Sequence, residues 1–185
     1  MHDEPPGVSI ALIGLRGSGK STLGPDLASH LGFHFVDTDE LVLGRFEEPS
    51  FVSVMQAHGE AAWRAAELDV ACELLGQPDR VLAMGGGMPA IPGVLDAIRD
   101  AKEAGELVVI YLAADPMLLG ERLSASPGDR SSLTGQGLIE EITQLHADRD
   151  PSYRSVADII CPIFDEPACD TSARLRGLVG GSSDS

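Results

Sequence analysis

The stretch Val8–Thr22, VSIALI followed by GLRGSGKST, decides how the rest of the chain is read. Its first six residues, Val8–Ile13, form a short apolar run of the kind a strand buried on both faces requires. The next nine, Gly14-Leu15-Arg16-Gly17-Ser18-Gly19-Lys20-Ser21-Thr22, fit the pattern G-x4-G-K-[ST]. Glycines let consecutive backbone N–H groups turn inward around phosphate oxygens, and the helix that follows directs its positive end at them. Lys20 can reach β- and γ-phosphates, and the Ser21 hydroxyl can ligate Mg²⁺. From the chain's own Gly, Lys, Ser and Thr frequencies, a chance match anywhere in the chain is about 0.003. The motif implies a nucleoside triphosphate and leaves open what is done with it.

Working outward, Ser21 to Leu31 carries leucines at four-residue spacing (Leu23, Leu27, Leu31) and reads as a helix. Phe33–Val36 reads as a second strand, ending at Asp37-Thr38-Asp39, and the simplest right-handed βαβ unit sets it beside the first. Ser50 to Leu75 predicts two helices broken at Gly59. Arg80–Met84 predicts a third strand running into Gly85-Gly86-Gly87, and Pro92–Ala104 a helix with proline in its first turn. Leu107–Leu112 predicts the fourth strand and Asp115–Leu123 a helix. Ser124–Gly137 (SASPGDRSSLTGQG) is polar, without apolar periodicity, and reads as a mobile loop. Leu138 to about Arg149 predicts a helix, Asp158–Cys161 a short strand, and Ser172–Val179 a weak last helix. The leader 1–7 and the tail 180–185 are expected to be disordered. Short apolar strands alternating with helices indicate an α/β protein, its parallel sheet covered on both faces. In such sheets ligands bind at the carboxyl ends of the strands.

Composition narrows the function classes. The 185 residues suffice for one compact domain, and 43% apolar with 23% charged residues is close to the globular average. No apolar run approaches the roughly 18 residues of a membrane helix. MHDEPPG at the N-terminus lacks the basic flank of a signal peptide. Three cysteines without CxxC spacing suggest neither a disulfide framework nor a zinc site, so a reducing, cytoplasmic setting is expected. The net charge of −16 argues against nucleic-acid binding. The chain has only two lysines, Lys20 and Lys102, beside eleven arginines, so a small anionic ligand requires gathering particular cations in one place.

The chemistry-bearing residues fall at the strand ends. Asp37 and Asp39, two apart, suit a metal held through water and an alcohol hydrogen-bonded to a carboxylate; Asp39 as a helix cap is the plainer alternative. Arg64 lies on a helix with Glu67 three residues on and so on the same face, which also suits a surface salt bridge. Gly85-Gly86-Gly87 lets a substrate approach the backbone, or forms only a loose turn. Arg149 lies near a helix end before Pro151, and Arg130 lies in the polar loop.

The order GLRGSGKST, DTD, GEAAWR, GGG with Pro92-Gly93-Val94 after it, an Arg-bearing loop and RDPSYRSVAD closely resembles the shikimate kinase family, from about Ile10 to Ile160. The resemblance implies a P-loop three-layer α/β/α fold with a five-stranded parallel sheet, a lid at about 124–137, and a single kinase domain over 1–185. It implies transfer of the γ-phosphate of ATP to the 3-hydroxyl of shikimate. By matching position, Gly17, Ser18, Gly19, Lys20, Ser21 and Thr22 hold the ATP phosphates, and Ser21 and Asp37 serve Mg²⁺. Asp39 contacts the shikimate hydroxyls as candidate base. Arg64 and Arg149 clamp the carboxylate, and the backbone at Gly85, Gly86 and Gly87 lines that pocket. Arg130 reaches over the phosphates from the lid, and Arg122 lies near adenine. ATP and shikimate are the expected partners, with no membrane or nucleic acid, in a monomer. The chain departs from the family pattern at Leu43, where a Glu is usual, at the lid sequence Arg130-Ser131-Ser132-Leu133, and at Phe164-Asp165-Glu166-Pro167 near the last strand. A kinase of another small hydroxy acid, or a non-catalytic shikimate-binding derivative, are the other readings that the motifs allow.

Overall fold

A computed structural model describes residues 7–125 and 137–180. Five strands, β1 (Ser9–Ile13), β2 (His34–Asp37), β3 (Arg80–Ala83), β4 (Leu107–Ala114) and β5 (Ile159–Ile163), form one sheet in the order β2-β3-β1-β4-β5. Every pairing is parallel, with Ile10 opposite both Val81 and Val108. The sheet is flanked by α1 (Lys20–Leu31), α2 (Thr38–Leu43), α3 (Phe51–Leu74), α4 (Pro92–Glu103), α5 (Pro116–Ala125), α6 (Leu138–Val156) and α7 (Ala168–Gly180). Among the described residues no helix is long and apolar enough to cross a membrane.

The burial pattern follows strand position. All five residues of the central β1 are buried, and the core continues through Leu82, Ile110 and Leu112. The edges differ from the expectation of strands apolar on both faces. In β2 no residue is fully buried, and β5 exposes Ile160 and accommodates Pro162, whose missing N–H is tolerated on an edge.

The order of strands corrects one expectation. β2 does not lie beside β1, because β3 is inserted between them. Central strands in a two-sided sheet must be the most apolar. VLA of β3 is fully buried where HFVD of β2 is not, and the more polar strand takes the edge.

Helix boundaries follow local chemistry. Ser50 caps α3 through a reciprocal bond pair with Ser53, and Gly59 (φ 77°, ψ 172°) breaks α3 into the two expected segments. Pro92 occupies the first turn of α4, where its lack of a donor costs nothing. Two findings concern ends. Asp37, not Asp39, caps α2, its carboxylate accepting from the Asp39 N–H at 3.0 Å. And α6 does not stop near Arg149 but runs through Pro151 to Val156. Burying Tyr153 and Val156 completely outweighs the one backbone bond that proline removes. Of the segments expected to be disordered, Gly180 ends α7, whereas 1–6 and 181–185 lie outside the described residues.

Candidate active site

The carboxyl ends of β1, β2 and β3 open into one cleft of about 1080 Å³. Its floor is the loop that leaves β1. Gly14 adopts φ 146°, and a Cβ there would collide with the Leu112 carbonyl and the Ser18 hydroxyl. Gly19 (φ 102°) makes the left-handed turn into α1, as only glycine does without strain. Ser18 is turned inward, fully buried, with its hydroxyl unpartnered. Ser21 and Thr22 are exposed to the cleft at the first turn of α1.

Lys20 folds back over this loop. Its ammonium donates to the carbonyls of Gly14 (2.8 Å) and Leu15 (3.0 Å). Crowding by protein pushes its pKa down to about 8; Asp39 and Asp37 oppose that fall, and Arg149 adds to it. The Ser21 hydroxyl donates to Asp37 Oδ2 at 2.6 Å, spanning the width of β3 from α1 to the end of β2. Asp37 is therefore engaged twice, by a hydroxyl and by its own cap bond. Thr38 is buried, donating to the Ala83 carbonyl (3.2 Å) and accepting from the Gly85 N–H (2.9 Å), which welds the turn after β2 to the turn after β3.

Asp39 faces the cleft from the first turn of α2. It is open to solvent on one side, but packed protein and the carboxylates of Asp37 and Glu67 push its pKa up to about 6, against the pull of Lys20 and Arg64. Its Oδ1 fills the space that a side chain at Gly85 would take. Arg64, from the second segment of α3, does the same at Gly87. The triple glycine thus makes room for the protein's own side chains as well as exposing backbone, a use that the sequence reading did not foresee. Gly86 lies against the phosphate-loop backbone, with Arg149 Nη1 3.7 Å from its would-be Cβ.

Arg64 is not a simple surface pair. Its Nη1 donates to Glu67 at 2.6 Å, and its Nε and Nη2 donate to Glu60 at 3.3 and 3.1 Å. Glu67 is 2% exposed, whereas Glu60 is open to solvent. One carboxylate anchors the guanidinium from inside, and the other holds it from outside. Glu67 was noted in the sequence only as a same-face partner; the signal that it is buried lies in the packing of α3, not in its spacing.

Lys20, Asp37, Asp39, Arg64, Gly86, Gly87 and Arg149 therefore share one cleft, and Arg122 also lines it, donating to the Phe164 carbonyl at 2.8 Å. Gly85 lies beneath, buried against Asp39. Arg130 and most of the expected lid fall outside the described residues. Sequence reading missed the apolar part of the lining, where Trp63, Phe51 and Leu43 face the cleft. Trp63 packs at 88° on Phe51 (4.9 Å) and stacks at 11° on Phe46 (6.1 Å). Scattered aromatics in a chain with 4% aromatic residues give no periodic signal.

The shikimate kinase family model matches residues 16–174. Shikimate kinase 2 of Yersinia pestis (strain Pestoides F) is 33% identical over 174 residues, which is 93% of this chain and 96% of that protein. The structure of shikimate kinase from Acinetobacter baumannii in complex with shikimate superposes with a TM-score of 0.86 at 25% identity, covering 98% of this chain and 97% of that one. Shikimate kinase from Bacteroides thetaiotaomicron superposes with a TM-score of 0.80 at 27% identity over 94% of this chain and 98% of its own.

Proposed function

The chain belongs to the shikimate kinase family, and on that premise we propose that it transfers the γ-phosphoryl group of ATP to the 3-hydroxyl of shikimate, giving 3-phosphoshikimate and ADP. The observation that carries this reading is that one cleft gathers the phosphate loop, Asp39 and the two guanidinium groups of Arg64 and Arg149.

The roles follow from chemistry. The backbone from Gly17 to Thr22 cradles the triphosphate, and Lys20 exchanges its bonds to Gly14 and Leu15 for phosphate oxygens, where its charge offsets the negative charge that develops in the transition state. The Ser21 hydroxyl and Asp37 carboxylate, 2.6 Å apart, are an all-oxygen donor pair of the kind that suits Mg²⁺. These two residues would hold Mg²⁺, which when bound neutralises phosphate charge.

Shikimate's carboxylate takes the Arg64 and Arg149 forks. The exposed Glu60 pair is weak and yields to the incoming carboxylate, while buried Glu67 keeps the Arg64 head in place. The acceptor hydroxyl then lies at Asp39. As its oxygen bonds to the γ-phosphorus and the bond to the ADP oxygen breaks, its proton passes to the Asp39 carboxylate. A carboxyl tuned to about 6 is ionised at neutral pH, yet more basic than an ordinary aspartate. Catalysis here is mostly positioning and charge, which is what this cleft supplies.

The test is ADP release from the purified protein with Mg²⁺ and ATP, with shikimate present, absent, or replaced by quinate. Release that requires shikimate supports the reading. Equal release without an acceptor, or preference for another hydroxy acid, overturns it.

A further inference from the structure

Tyr153 lies four residues after Arg149 on α6, is completely buried, and points its hydroxyl back towards the cleft. That hydroxyl donates to the carbonyl of Gly86, the middle residue of the glycine run, 67 positions away in the chain. The Arg149 guanidinium faces the same hydroxyl, and its Nη1 lies beside Gly86. Behind the ring, the aromatic ring of Tyr111 on β4 packs at 5.1 Å, so Tyr153 has little freedom to shift, while the Tyr111 hydroxyl donates to Asp150 at 2.9 Å. A phenol buried this deeply needs a partner, and a phenylalanine would satisfy the packing alone.

We infer that Tyr153 is a positioning residue for the acceptor end of the site: its hydroxyl ties the Gly86 carbonyl to α6, and so fixes Arg149 relative to the turn against which Asp39 and Arg64 are seated. The inference rests on the assignment of Arg149 to the substrate carboxylate. Its physical basis is that the receptor is built from α2, α3, the turn after β3, and α6, the last of which comes from far along the chain and needs a tie to the rest. Thr38 joins the first of these to the turn through Gly85. Tyr153 joins the last to the same turn through Gly86. Arg149 sits on a long side chain, and without that tie its fork would sample positions unsuited to bidentate pairing. Burial pushes the Tyr153 hydroxyl up to about 12, so it stays a donor across the working pH range.

The experiment is a double-mutant cycle with Tyr153→Phe, Arg149→Ala and the double variant, plus Tyr111→Phe as a control that removes a neighbouring buried hydroxyl without touching Gly86. Shikimate and ATP-analogue affinities are measured by calorimetry, with KM and kcat alongside, each well below the melting temperature of the variant used. Tyr153→Phe is expected to weaken shikimate binding roughly 2- to 13-fold, the net worth of one hydrogen bond. KM should rise with it, kcat should change less, and the ATP-analogue affinity should stay put. In the Arg149→Ala background the Tyr153→Phe loss should largely vanish, because the group it positions is gone. Tyr111→Phe should lower stability without that KM shift. If Arg149→Ala weakens shikimate and Tyr153→Phe does not, or if the two losses simply add, the inference is overturned while the substrate reading stands. If Arg149→Ala weakens the nucleotide instead of shikimate, the substrate reading itself falls, and the inference with it.

Discussion

The two ends of the cleft are built in opposite ways. The phosphate end is local: Gly14 to Thr22 are consecutive, and most of what they offer is backbone N–H and one lysine. The proposed acceptor end is dispersed: Asp39, Arg64 and Arg149 come from across 110 residues and offer side chains. A backbone cradle needs only the right dihedral angles, which glycines permit wherever they occur. A side-chain receptor needs several elements held in register, and its hydrogen bonds through Thr38 and Tyr153 are spent on that. The phosphate end should therefore tolerate changes elsewhere in the fold, and the acceptor end should not.

The sharpest way to break this comparison is at the lysine of the phosphate end. Lys20→Met should keep the fold but lower kcat by about 100- to 1000-fold or more, since charge neutralisation at the phosphates is a leading catalytic term. Near wild-type ADP release from a folded variant would remove Lys20 from the mechanism.

The next effect separates the two ends. Arg64→Ala and Arg149→Ala should each weaken shikimate binding roughly 10- to 150-fold, the worth of a charge-assisted pair, and leave ATP affinity nearly unchanged. Calorimetry showing nucleotide loss instead would merge the two ends into one.

A smaller effect tests the glycine run. A Cβ at Gly87 collides with Arg64 Nη1, the atom that buried Glu67 holds. Gly87→Ala should thus raise KM for shikimate several-fold by displacing Arg64, of the order of a lost hydrogen bond, and should lower the melting temperature, because the buried Glu67 carboxylate loses its partner. A variant with unchanged KM would show that the space is not reserved for the guanidinium.

The mildest test is pH. As the proposed base, Asp39 must be ionised, and its pKa is pushed up to about 6, so kcat/KM should fall tenfold per unit below that value. As the proposed phosphate cation, Lys20 must be charged, and its pKa is pushed down to about 8 in the free protein, so kcat/KM should fall again above it. The same shifts have stability signs. The raised Asp39 favours the folded state's proton, so its contribution weakens as pH rises from about 4 to 6. The lowered Lys20 disfavours a proton in the fold, so stability gains from about 8 to 10.5. A profile flat from pH 5 to 9 would detach both groups from the chemistry.

The contrast between the two ends also explains what was legible. The strand–loop–helix at Val8–Leu31, the break at Gly59 and the alternation of strands and helices could all be read directly, because period, glycine and proline act within a few residues. Asp39, Arg64 and Arg149 could be nominated, through residue type and their order along the chain, but not brought together. Adjacency of β2 to β1 was misread, since local pattern does not say which strand is polar enough to take the edge. The end of α6 was misread because Pro151 is a strong local signal, overruled only by the burial of Tyr153 and Val156.

By itself the sequence determined the class of fold, the phosphate loop, and the inventory of acids and arginines, because those depend on dihedral preference and on which side chains exist. Only the tertiary structure decided that Glu67 lies buried under Arg64, that Asp39 and Arg64 occupy the space left by Gly85 and Gly87, and that Tyr153 bonds to Gly86. Each of those is a meeting of residues between 3 and 67 positions apart, seated by how helices pack on the sheet. Close packing makes such meetings a property of the whole core, not of any segment of it.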